Sequence, residues 1–280
     1  MPRNARRRRA RRTKTLDSAL GSDTGVKSRG RGSSGRRASR TVKRSVVRID
    51  PHKLTEDILD EVSSRLGLDI LGLKREQLVE ALRPIVEGIL EQYSSRPSKE
   101  AIISKIVNTS RNVYMMIAAY IVERIDSLTN EQLEFVINYG EAVAAKHAPK
   151  LYAEAKRLGR DDLIPMLRML WEKYGNPTPI ACPYCGFRAV TPDLVCMICG
   201  KELSEREVKE AIDFRERLQE MVELYSEREV EDAISRGYVI VGDVVKPPSY
   251  NIEPGNVVLH LTAEERSFLK KLLMVKREGK

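Results

Sequence analysis

The chain has 280 residues, 32% of them charged and 41% hydrophobic, which is enough apolar surface for one large or two small buried cores. Its formal net charge of +9 is unevenly placed: residues 1–49 hold 17 Lys and Arg against Asp17 and Asp23, leaving 32 basic and 38 acidic side chains for the rest. A polycationic leader on a mildly acidic body points to a polyanionic partner at one end, and the longest apolar run, Val113 to Val122, is too short to cross a bilayer.

Residues 1–49 contain Arg6, Arg7, Arg8, Arg9, Arg11 and Arg12, then a Gly/Ser/Arg stretch from Ser28 to Arg40, with almost nothing large to bury. Such a composition predicts a disordered segment whose six clustered arginines neutralise phosphates. It has no aromatic residue, so contact through the backbone of DNA or RNA, with little sequence choice, is the expectation. Gly21 to Ser28 resembles a phosphate-binding loop only superficially, because the second glycine is one place early and no hydrophobic strand precedes it.

Asp50 and Pro51 suit the N-cap and first position of a helix, and the folded body is expected to begin there. Apolar residues then recur at helical spacing: Ile58, Val62 and Leu66; Leu78, Leu82, Ile85, Ile89 and Tyr93; Ile102, Ile106 and the run to Val122. These predict three helices. Thr129 with Gln132 has capping-box spacing and opens a fourth, Pro149 opens a fifth that Gly159 ends, and a sixth runs from about Asp162 to Gly175. Short polar links favour antiparallel packing into one bundle-like domain.

After the stiff connector Asn176 to Pro179 come the only four cysteines, as Cys182-Pro-Tyr-Cys185 and Cys196-Met-Ile-Cys199. Each pair is short enough to put both sulfurs on one turn, and two facing turns make a tetrahedral sulfur cage for Zn²⁺. Gly186 and Gly200 follow the second cysteine of each pair, where the backbone turns sharply and positive φ is required. An electron-transferring iron is the main alternative, disfavoured by the ten-residue gap, and paired disulfides are a remote one. Arg188 and Lys201 are near enough in sequence to offset the charge of a metal bound to four thiolates.

Ser204 with Glu207 and Ser226 with Glu229 are two more capping boxes. The first predicts a helix to Tyr225 with an apolar stripe through Val208, Ala211, Arg215, Leu218 and Val222; the second predicts a helix that Gly237 ends. Tyr238 to Val241 and Asn256 to Leu261 read as strands, Gly242-Asp243 as the turn of a small hairpin, and Thr262 as the start of a last helix. Two helices followed by strands would suit a winged helix, but the acidic second helix would repel DNA. From Lys201 to Arg236 the acidic residues outnumber the basic by five, which suits a basic protein partner at 204–236. His52, His147 and His260 form no recognisable catalytic constellation.

The cysteine segment, roughly residues 181–203, resembles the zinc-ribbon or rubredoxin-like knuckle family, on CPYCGF and CMICGK. The resemblance implies a structural zinc and a nucleic-acid or protein contact, since such ribbons are common in archaeal transcription, translation, replication and recombination proteins. The fold is therefore expected to be mainly α: a disordered Arg-rich segment over 1–49, a helical domain over 50–178, a zinc ribbon over 179–203, and helices with a β-hairpin over 204–280. The absence of cysteines for disulfides and of an apolar leader predicts a reducing, cytoplasmic setting, and the charged, Gln- and Asn-poor composition predicts a heat-loving archaeal source. The expected function is that of a non-enzymatic, zinc-binding nucleic-acid accessory protein of the ribosome, transcription or replication machinery, with an interaction adaptor or an enzyme of unrecognised class as alternatives.

Overall fold

Helix starts and stops follow the local chemistry of the chain. The computed structural model describes residues 49–278, so Arg6 to Arg12 and the rest of the segment before Ile49 lie outside the described residues. Asp50 accepts a hydrogen bond from the His52 amide at 3.0 Å and Pro51 occupies the first turn of α1 (Pro51–Leu66). Glycine 67, with φ at 66°, ends it. A 3₁₀ turn (Leu68–Leu71) leads to α2 (Arg75–Leu90), which runs uninterrupted through the solvent-facing Pro84.

Where the sequence pattern predicts one helix from Ile102 to Val122, the chain makes two: α3 (Lys99–Asn108) and α4 (Ser110–Arg124). The break is Thr109, whose hydroxyl donates to the carbonyls of Lys105 (2.9 Å) and Ile106 (3.2 Å), competing with the helical ladder. Apolar periodicity continues across the break, so Ile106 and Val113 bury into the same core. Next come α5 (Asn130–Tyr139), opened by the Thr129–Gln132 capping box, α6 (Ala142–Lys146), α7 (Ala148–Leu158), a 3₁₀ turn (Asp161–Leu163) and α8 (Ile164–Tyr174).

Packing proceeds from neighbour to neighbour, α1 on α2 and α3, α2 on α4, α4 on α5, α5 on α7, and α6 and α7 on α8. Ile58, Val62, Leu82, Val86, Ile102, Ile117, Ile121, Leu133 and Val136 are almost completely buried. Each such side chain contributes about 1.5–3 kcal/mol of transfer free energy. A charged group is buried beside them: Glu154 accepts from the Leu128 amide (2.7 Å) and is clasped by Arg157, which also donates to the Leu128 carbonyl.

After the cysteine segment the predicted continuous helix from 205 to 225 divides into α9 (Glu205–Ala211) and α10 (Phe214–Leu224). Asp213 between them is left-handed, φ 50° and ψ 54°, and this resets the helical phase. Phe214 thereby becomes buried while Ala211 and Arg215 face solvent, so the stripe predicted through Val208, Ala211, Arg215 and Leu218 is not one seam. Then follow α11 (Glu227–Arg236), β1 (Tyr238–Val241), β2 (Val245–Lys246), β3 (Val257–His260) and α12 (Ala263–Glu278).

The strands form an antiparallel sheet in the order β2-β1-β3, with Val239 opposite Leu259 and Val241 opposite both Val245 and Val257. The small hairpin expected at Gly242-Asp243 supplies β2 beside the two predicted strands. The architecture is mainly helical, twelve α-helices and one small sheet among the described residues, and no described helix is long and apolar enough to cross a membrane.

Candidate metal centre

Two turns of the same design carry the cysteines. In the first, Ala181 bridges to Arg188, the Cys182 amide donates to the Phe187 carbonyl (2.8 Å) and the Gly186 amide to the Cys182 carbonyl (2.8 Å). Fourteen residues on, Val195 bridges to Glu202, the Cys196 amide donates to the Lys201 carbonyl (2.9 Å) and the Gly200 amide to the Cys196 carbonyl (2.9 Å). Gly186 and Gly200 sit at φ 76° and 70°, the left-handed conformation that closes each turn and that a Cβ would strain. The Met197 amide donates to the Ala189 carbonyl at 2.9 Å and joins the two knuckles.

The four sulfurs converge. Cys182 Sγ is 3.8 Å from Cys199 Sγ, Cys185 Sγ is 3.6 Å from Cys196 Sγ, and all four lie within 4.8 Å of one another. A tetrahedral ion with bonds to sulfur of ~2.3 Å requires sulfur separations of ~3.8 Å, so these four cysteines can hold a metal ion. Backbone amides complete the environment: that of Phe187 beside Cys185, those of Cys199 and Ile198 beside Cys196, and that of Lys201 beside Cys199 each pull the sulfur toward its charged form. Amide donors favour thiolate over thiol.

Among the thiols alone, ionisation is unequal. The hydrogen bond shared by Cys185 and Cys196 pulls the Cys196 thiol down, while that same bond and burial hold Cys185 up. Four mutually repelling sulfurs in so small a volume ionise together only around a cation, which is the behaviour of a metal-ligand set.

The knuckles are built into the surrounding helices. Phe187, fully buried, meets Tyr152 of α7 edge-on at 5.8 Å, and the Trp171 indole of α8 donates to the Arg188 carbonyl at 2.9 Å. On the other side the Tyr184 hydroxyl donates to Glu207 at the start of α9, a bond that, with the Ser204 cap, pulls the Glu207 carboxyl down to about 2.

Arg188, expected near the sulfurs, is committed elsewhere: its guanidinium donates to the Thr178 carbonyl (3.0 Å) and to Asp243 (2.9 Å). Lys201 stands over the Tyr184 ring, 5.1 Å from its centroid. The cation that sequence reasoning missed is Arg168 on α8. Its guanidinium lies against Gly186, a terminal nitrogen only 2.6 Å from where a Cβ would stand, and its buried Nε has no hydrogen-bond partner. Arg168 and Cys185 line the same groove of about 250 Å³. No local spacing announces this pairing, because α8 precedes the ribbon in sequence and meets it only through the fold.

The acidic face proposed for a partner at 204–236 is largely matched from within. Arg277 takes Glu227 and Glu231, Arg236 takes Asp232, Arg206 takes Glu210, and Tyr250 donates to Glu229. His260, read from the sequence as an ordinary strand residue, places Nδ1 2.7 Å from Glu205 at the edge of an open cleft of about 990 Å³. No family model, curated protein or solved structure matches the chain.

Proposed function

We propose that this chain is a zinc-clasped, non-enzymatic protein that binds nucleic acid through its arginine-rich segment and serves as an accessory factor of archaeal ribosome, transcription or replication machinery. The carrying observation is the convergence of Cys182, Cys185, Cys196 and Cys199 at separations suited to one tetrahedral ion. Four thiolates fill the coordination shell of Zn²⁺, so its work is structural: it adds folding free energy and holds the two knuckles between α7, α8 and α9.

The charge partition supports the nucleic-acid half of the reading. A leader with a net charge of +15 precedes a body of −6, which favours phosphate contact by the leader and keeps the body off the duplex. The test is binding of labelled RNA and DNA by the full chain across a salt series, beside a variant with Arg6, Arg7, Arg8, Arg9, Arg11 and Arg12 changed to Gln. Loss of six phosphate contacts should flatten the dependence of log affinity on log salt by about 4 to 5. A wild-type chain that binds neither nucleic acid at low salt refutes the reading; co-purification of a basic protein in its place would favour the adaptor role for residues 204–236.

A further inference from the structure

The leader contains no aromatic residue, so a stacking contact with bases must come from the body. Far from the cysteines, the C-terminal turn of α5 and the first turns of α4 enclose a cleft of about 330 Å³ lined by Ser110, Arg111, Tyr114, Asn138, Tyr139 and Glu141. That volume is near the lower end for ligand clefts, ~300 Å³.

Its floor is aromatic and braced. Tyr139 packs at a tilt of 44° and 49° against Tyr114 and Phe135, with ring centroids 4.9 and 5.1 Å away, and Phe135 meets Tyr114 edge-on at 5.6 Å. Phe135 is buried and the Tyr114 hydroxyl is tied to the Leu66 carbonyl at 3.1 Å, so the cluster is fixed from behind. Tyr139 itself leaves 47% of its surface to solvent. A rigid aromatic ring held half in water presents a π-face to a ligand and loses little conformational entropy when it is covered.

The polar groups at the rim suit a nucleotide. Arg111 is held by Glu141 through Nε (2.8 Å) and Nη2 (2.5 Å), which leaves Nη1 without a partner among the described residues on a side chain that is 74% exposed. The exposed Asn138 amide has no hydrogen-bond partner among the described residues, and the Tyr174 hydroxyl donates to Glu141. Glu141 is held at φ 45° and ψ −114°, a conformation rare outside glycine, in the residue that positions Arg111.

We infer that this cleft is a base-stacking site for single-stranded nucleic acid, an inference that rests on the nucleic-acid reading above. A base lies on the open face of Tyr139, the Asn138 amide reaches its edge, and Arg111 reaches the adjoining phosphate. Bases in a duplex are already stacked, so the site takes unpaired strands and tolerates any base.

The experiment is fluorescence anisotropy of a labelled single-stranded homopolymer and of a duplex with the full chain, its Tyr139→Ala and Tyr139→Phe variants, and Arg111→Ala. Tyr139→Ala should weaken single-strand binding about 5- to 150-fold and leave the salt slope alone. Tyr139→Phe should bind like wild type, and Arg111→Ala should reduce the salt slope by about 1. Photocrosslinking of a halogenated base should label the peptide that carries Tyr139, a readout that a fold defect in the alanine variant does not mimic. If the wild-type chain binds single strands but Tyr139→Ala binds equally well and no crosslink forms there, this inference falls and the nucleic-acid reading stands. If the wild-type chain binds no nucleic acid, both fall.

Discussion

Stripping the metal should unfold far more than the residues that touch it. Between residues 179 and 203 the side chains of Ile180, Phe187, Val190, Ile198 and Leu203 are all buried. At about 1.5–3 kcal/mol each, their burial is worth on the order of 10 kcal/mol, comparable to the entire stability of a typical domain. They stay buried only while both knuckles keep their shape, and four thiolates of like charge do not keep it alone. Loss of even half of this term, ~5 kcal/mol, lowers Tm by roughly 10–20 °C for a chain of this size. The assay is calorimetry before and after chelation, with zinc added back, and hydrogen exchange read peptide by peptide. Protection should fall in α7 and α8, which meet Phe187 and Arg188, as well as in the ribbon. A stripped protein whose Tm moves by less than ~2 °C, or whose exchange rises only within 179–203, refutes the reasoning.

Three further outcomes follow from named contacts. Gly200→Ala meets nothing within 4 Å and should cost only the left-handed backbone, about 1–2 kcal/mol, whereas Gly186→Ala must also displace the Arg168 guanidinium; thermal melts of the zinc-loaded variants should rank Gly186→Ala lower. Arg168→Met removes the cation beside Cys185, so it should speed zinc transfer to a chromophoric chelator while Arg168→Lys restores part of the wild-type rate. Glu154, held below the usual carboxylate range by Arg157, adds stability that is complete above its unfolded value of 4.5 and is lost as pH falls through its lower folded value. Glu154→Gln should therefore lower stability by about 1–3 kcal/mol near neutrality and flatten the acid limb of a Tm-against-pH curve below pH 4.5.

Features encoded by adjacent residues were the legible ones. Thr129 with Gln132, Ser204 with Glu207 and Ser226 with Glu229 all cap helices in the structure as their spacing predicts, and the CxxC-Gly repeats form matched turns. The breaks at Thr109 and Asp213 were not legible, because apolar periodicity runs straight through the first and the second depends on one backbone conformation that aspartate only occasionally adopts. Charge partners were only partly legible for the same reason: Arg188, close to the cysteines in sequence, reaches Asp243, while Arg168 arrives from another helix. The Tyr139 cleft joins two helices whose contacting residues lie almost thirty positions apart, and no motif spans that interval.

The central claim is that four sulfurs share one ion, and elemental analysis combined with X-ray absorption on the purified full chain tests it most directly. One zinc per chain with four sulfur neighbours at ~2.3 Å is the predicted result. A protein purified without chelators that carries no stoichiometric metal, or whose zinc is bound by nitrogen and oxygen, contradicts it.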